Sequence, residues 1–417
     1  MFPGFSSALS ALTADSDAID VCGNNLANMN TPGFKAAEVE FSDLMSETLG
    51  GALNPAQVGM GVGPIQTDTN YIQGTVTTTS GPTDVAIQGN GFFVVKDASG
   101  QTLYTRDGSF QVDSAGNLVT ANGQNVQGWM AVNGTVNPTG STTNLTVPMG
   151  TLIPGTATTT MSVPVNLDAD ASTSGSDSTY SAPVQVYDSL GNSHTLTIDF
   201  TKTDTNAWSY TVTIPTADLG SGGNTTLASG NLTFDGNGYL TSPASSAGPQ
   251  TIAIAGLADG ANDMSINWNM FDSSGNSLIT QLSQASAEES VTQDGTAAGQ
   301  INNVSLENGG LLVADYSNGQ EVTVGQLAMA SIQNPNSLLS VGENNLQATA
   351  QTAPIVVGAA NTAGRGQIVG GSLEQSTSDM ATEFTNLLTY ERSYQAAGRV
   401  ITTGDQMMQD TLNLIQG

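Results

Sequence analysis

Apolar residues recur with a helical period at both ends of the chain and with a strand period between them. Near the start, Phe5, Leu9, Leu12, Ile19 and Leu26 fall on alternating steps of four and three, with Ser16 and Gly23 in the remaining seam positions. That spacing draws one apolar stripe along a helix. Towards the other end Met380, Phe384, Leu387, Tyr394, Ile401, Met408, Leu412 and Ile415 share one heptad frame, interrupted by Glu391, Gly398 and Asp405. A helix cannot hide such a stripe from water alone, so the pattern predicts that the two terminal helices pack together and against copies from other chains. These thirteen apolar positions are the expected subunit interface.

Between the helices turn chemistry dominates. Asp97, Asp113, Asp188 and Asp272 each open a five-residue segment with Gly fourth and Asn or Gln fifth. Asp at the first position and Gly at the fourth suit a type I turn followed by a left-handed residue. The flanks are apolar and β-branched, as in Phe92-Phe93-Val94-Val95 and Leu103-Tyr104, so each segment reads as a β-hairpin. The expected fold is therefore mixed α and β and multidomain, with coiled-coil-type terminal helices joined to mainly-β, hairpin-rich middle domains. The expected division is a helical domain of 1–30 with 375–417, an extended linker 31–75, an inner β domain of 76–150 with 285–374, and an inserted outer β domain 151–284.

Composition narrows the chemistry. Only 10% of the 417 residues are charged, and 36 Asp and Glu against 7 Lys and Arg give a formal charge of −29. That charge repels nucleic acid and anionic lipid, so neither is an expected partner. No apolar run of about eighteen residues predicts a membrane span, and the first thirty residues lack the basic and apolar regions of a secretory signal. His194 and Cys22 are the single histidine and cysteine and lie far apart in sequence. Spacing thus assigns no catalytic set, no cofactor and no metal site. Asp235-Gly236-Asn237-Gly238 looks like part of a calcium loop, but the spaced oxygen ligands and closing Glu do not follow. Gly89-Asn90-Gly91 lacks the Lys and Ser or Thr of a nucleotide loop.

The segment Gly23-Asn24-Asn25-Leu26-Ala27-Asn28-Met29-Asn30-Thr31-Pro32-Gly33-Phe34-Lys35 must end a helix and turn the chain, because Asn, Thr, Pro and Gly cluster there. With Ser10-Ala11-Leu12 and Asp20-Val21 upstream, it resembles the amino-terminal signature of the flagellar rod and hook protein family. The matching signature positions are Asn24, Asn25, Asn28, Asn30, Thr31, Pro32, Gly33 and Phe34. The closing helix is similar to the same family's end around Leu388-Thr389-Tyr390-Glu391-Arg392-Ser393-Tyr394-Gln395, and 186–194 resembles the domain specific to its hook members.

The resemblance implies a structural subunit, not an enzyme. It would leave the cell through the flagellar type III apparatus, lie outside the cell in the hook and basal body, and polymerise into a flexible curved tube. That tube carries torque from rod to filament as a universal joint. Implied partners are further copies of the chain, the distal rod protein, the hook cap, the hook–filament junction protein and the hook-length control protein. Two alternatives stand beside it: a distal rod-type subunit, which would have much less chain between its ends, and a secreted adhesin or surface-layer protein, which would not need helices at both termini.

Overall fold

The computed structural model describes residues 3–44, 47–49, 56–220 and 223–416. One α-helix, α1, runs Pro3–Ala27 and a second, α2, runs Met380–Gln416; nearly everything between is β. Among the described residues no helix is long and apolar enough to cross a membrane.

The chain forms two compact units. The first is Met1–Met149, Asn303–Asp315 and Glu321–Gly417; the second is Gly150–Asn302 with Tyr316–Gln320. The second unit extends past 284, where the sequence reading ended the outer domain. Ala287–Glu288 pairs with Val165–Asp168 there, and Thr292–Gln293 with Thr160–Ser162. Within the expected linker, Ala37–Glu40 pairs antiparallel with Gln66–Thr69.

In the first unit the main antiparallel path runs Glu321–Leu327, Asn125–Val132, Phe92–Lys96, Thr102–Thr105, Asn345–Gln347 and Leu339–Gly342. The residues before α2 return to this body by two short pairings, Gln367–Gly370 with Val85–Gln88 and Ser372–Glu374 with Val76–Thr78. Phe93 and Phe110, both buried, meet edge to face at 5.1 Å, a geometry that adds to area burial.

The second unit is built on a five-stranded antiparallel meander, Thr179–Tyr187, Ser193–Asp204, Ala207–Thr213, Thr226–Phe234 and Leu240–Ser242. Strand Ser193–Asp204 alternates strictly: His194, Leu196, Ile198, Phe200 and Lys202 face inward, as period-two side-chain direction dictates. Trp208 and Trp268 are completely buried beside Phe200 and Tyr210.

The aspartate turns form as their composition requires. Each Asp turns one carboxylate oxygen back to accept the amides two and four residues on, at 2.8–2.9 Å, from Asp97, Asp113, Asp188 and Asp272. The fourth residue is left-handed each time, with φ of 85°, 86°, 85° and 84° at Gly100, Gly116, Gly191 and Gly275. Asp235 makes a fifth turn of the same kind, accepting the Asn237 and Tyr239 amides with Gly238 at φ 83°, so its calcium-like spelling is hairpin chemistry. The hydrogen bonds to Asn276 and Asn117 hold the Asp272 and Asp113 carboxyls below their ordinary value.

Candidate subunit interface

The helices α1 and α2 pack against each other and run antiparallel. Asn25 near the end of α1 meets Glu383 near the start of α2, while Leu12 lies beside Gly398. Asp379 caps α2 by accepting the Thr382 amide at 2.9 Å, satisfying a backbone donor that the helix cannot. The buried face of α1 is small and polar: Ala8, Ala14, Asp15, Ala18, Cys22 and Asn25. Opposite them α2 buries Glu383 and Ala397 and half-buries Gly398, Ile401 and Gly404.

The intramolecular seam is therefore offset from the predicted stripe. Phe5, Leu12, Ile19 and Leu26 are half-buried on its flank, and Leu9 is exposed. On α2, Leu387 and Ile401 are half-buried, while Met380, Phe384, Tyr394, Met408 and Leu412 are exposed. The side chain of Ile415 lies outside the described residues. A second apolar row at heptad spacing, Val400, Met407 and Leu414, is exposed as well, as is Leu388. The single frame drawn from sequence passed over that row, although its seven-residue spacing is plain in the chain.

Length accounts for part of this exposure. α2 has 37 residues and α1 has 25, so at about 1.5 Å per residue α2 is longer by about 18 Å. With Asn25 paired to Glu383, α1 runs out near residue 405 of α2, before Met407, Met408, Leu412 and Leu414.

The amino-terminal signature is a seat that joins the end of α1 to the start of α2. The Asn25 carboxamide donates to the Ala37 carbonyl at 2.8 Å and to Glu383 Oε1 at 3.0 Å, and accepts the Ala37 amide at 3.0 Å. Asn28 donates to the Asn24 carbonyl and accepts from the Thr31 hydroxyl, closing the helix end. The Pro32 carbonyl accepts from Asn344, the Gly33 amide donates to the Glu374 carbonyl at 2.8 Å, and the Phe34 carbonyl accepts the Thr377 amide. Asn24 and Asn30 are exposed.

Gly33 sits at φ 70°, and a Cβ there would lie 2.6–2.7 Å from the backbone of Arg106 and Asp107. Gly33→Ala is expected to destabilise this unit by at least the about 1–3 kcal/mol of a strained backbone position. A urea unfolding curve matching that of the parent chain would refute this reading of the turn.

Beneath the signature lies a charged cluster that sequence reasoning missed. Glu374, fully buried, receives Lys35 Nζ at 2.7 Å and Arg106 Nη1 at 3.2 Å, and also accepts the Gly74 amide at 2.8 Å. Burial draws the Lys35 ammonium below its ordinary value, and Glu374 opposes that shift. Cys22 is buried in the seam, where burial and then Glu383 push its thiol up to about 11. It is a packed small side chain rather than a thiolate.

The family model of the flagella basal body rod protein matches 5–35, and that of the flagellar basal body rod FlgEFG protein C-terminal matches 369–414. The flagellar hook protein FlgE/F/G D1 domain matches 86–167, and the flagellar basal body protein FlaE D2 domain matches 156–296. The chain is similar to flagellar hook protein FlgE of Treponema pallidum, 34% identical over 98% of each chain. It is also similar to that of Salmonella typhimurium, 32% identical over 98% of this chain and 99% of the other. A crystal structure of the Helicobacter pylori hook protein FlgE2 aligns with TM-score 0.48 at 15% identity, covering 72% of this chain and all of the other. With helical termini, a β-rich middle and relatives of this identity along the whole length, the chain belongs to the flagellar hook protein FlgE family.

Proposed function

We propose that the chain is a structural subunit of the flagellar hook, exported by the flagellar type III apparatus and polymerised through its terminal helices into a curved tube that passes torque from rod to filament. The observation that carries this reading is the unpartnered apolar surface of α2: Phe384, Leu388, Val400, Met407, Leu412 and Leu414 are all exposed in the single chain. Large apolar side chains left in water along one helix mark an interaction site, and the heptad spacing of Val400, Met407 and Leu414 defines one register and resists slippage. The distal rod protein, hook cap, hook–filament junction protein and hook-length control protein are the other partners this reading entails. It requires no catalysis. The full-length coverage of hook relatives favours it over a distal rod subunit.

The β units would supply sliding contacts, since polar, Ser- and Thr-rich surfaces make wet interfaces that exchange at low cost. Leu190, exposed at the tip of the 188–192 turn, is a candidate for such a contact. In a strain deleted for the gene, electron microscopy is expected to show basal bodies without hooks and the cells are expected not to swim. Complementation with Leu190→Ser is expected to restore hooks of altered curvature. Complete hooks in the deletion strain would overturn the functional reading, and a Leu190→Ser chain that fails to polymerise would overturn the sliding-contact assignment.

A further inference from the structure

The only histidine of the chain is buried among carboxylates in the second unit. His194 faces inward from strand Ser193–Asp204, its side chain 6% exposed. Its Nε2 lies 3.3 Å from Asp188 Oδ2 and 3.6 Å from Asp259 Oδ2. On the other side of the ring, Nδ1 is buried with no hydrogen-bond partner and points towards Asp218 Oδ2 at 3.4 Å. Asp188 is fully buried, and among the described residues no Lys or Arg pairs with any of the three carboxylates. A buried carboxylate without a cation is costly.

Asp188 and Asp259 both turn their Oδ2 towards the imidazole. Asp188 uses Oδ1 for the Leu190 and Asn192 amides and turns Oδ2 to the imidazole. Asp259 uses Oδ1 for the Ala261 amide, while its Oδ2 takes the Asn192 carboxamide at 3.0 Å and faces His194. The loops carrying these residues are tied together: the Asn262 amide donates to the Ser189 hydroxyl, and the Ala258 amide to the Asp218 carbonyl.

We propose that Asp188, His194 and Asp259 form a binding site for a divalent transition-metal ion, best matched by zinc. The three donor atoms lie within 4.8 Å of one another. Zinc bonds of about 2.0–2.1 Å place neighbouring tetrahedral ligands about 3.4 Å apart, close to the 3.3 and 3.6 Å found from Nε2 to the two carboxylates. One imidazole with two carboxylates suits zinc, whereas calcium takes oxygen ligands alone. Asp218 Oδ2, 3.4 Å from Nδ1, would be the acceptor for the ring N–H once Nε2 holds the ion, the kind of carboxylate that orients a metal-bound histidine. Asp218 and Asp259 are partly exposed, leaving a route for the ion and a water to complete four-coordination. The bound ion would neutralise the buried Asp188 and clamp the 188–194 hairpin to the loop that carries Asp259.

The test uses the full-length chain without an affinity tag, monomeric and freed of metal by chelation. Because the chain has a single histidine, its imidazole ring protons in NMR report this site without ambiguity. One equivalent of zinc chloride is expected to move those signals to a new position, with calorimetry giving one ion per chain. Asp259→Asn is expected to weaken binding at least tenfold with an unchanged circular dichroism spectrum. Imidazole signals that stay in place at one millimolar zinc, or undiminished one-to-one binding by a folded Asp259→Asn chain, would overturn the proposal.

Discussion

Replacing Glu374 by Gln is expected to destabilise the first unit by about 3–5 kcal/mol, the cost of removing one partner from a buried ionic cluster. Lys35 and Arg106 are each only 6% exposed, so neither can turn to water when the carboxylate goes. Lys35, already drawn down by burial, can shed its proton; a guanidinium cannot. The folded variant would thus bind fewer protons than the unfolded chain, and its deficit should ease as pH rises towards the ordinary lysine value. Hydrogen exchange read by mass spectrometry should show lost protection around 33–36, 72–74 and 372–377, with the meander of the second unit unchanged. Full protection in the first unit would show that the cluster does not hold the signature in place.

Charging the exposed face of α2 is expected to abolish polymerisation while leaving the single chain intact. Leu388 and Met407 are 52% and 66% exposed, so in the monomer Leu388→Asp with Met407→Asp should cost within about 0.5 kcal/mol each, as for surface substitutions generally. In a packed interface the same carboxylates would be desolvated without partners. Sedimentation should find only monomer in the double variant and large polymer in the parent chain. Polymer of parental size would remove α2 from the interface.

The helices and hairpins were legible because each rests on a local rule. Heptad spacing marks α1 and α2, and the Asp-to-Gly turn spelling marks hairpins closed by hydrogen bonds within five residues. The offset seam was not legible, because an apolar pattern ranks residues by hydrophobicity. The buried positions of α1 include the small Ala8, Ala14 and Ala18, and Gly398 of α2 lies beside Leu12, while larger side chains of the same helices such as Leu9, Phe384 and Met407 stay outside. Glu374 was invisible for another reason. Its partners lie 339 and 268 positions away, and only the pairing of Ser372–Glu374 with Val76–Thr78 delivers it beneath the signature. Asp259, 67 positions from Asn192, joins His194 in the same way. The sequence reading weighed His194 only against the distant Cys22, and the carboxylates that the fold brings to His194 lay outside it.

In a helical reconstruction of the assembled tube by electron cryomicroscopy, α1 and α2 are expected to line the inner wall, with Phe384, Leu388, Val400, Met407, Leu412 and Leu414, all exposed in the single chain, buried against neighbouring subunits. A tube in which these side chains remain in solvent, with contacts running through the β units alone, would contradict assembly through the terminal helices.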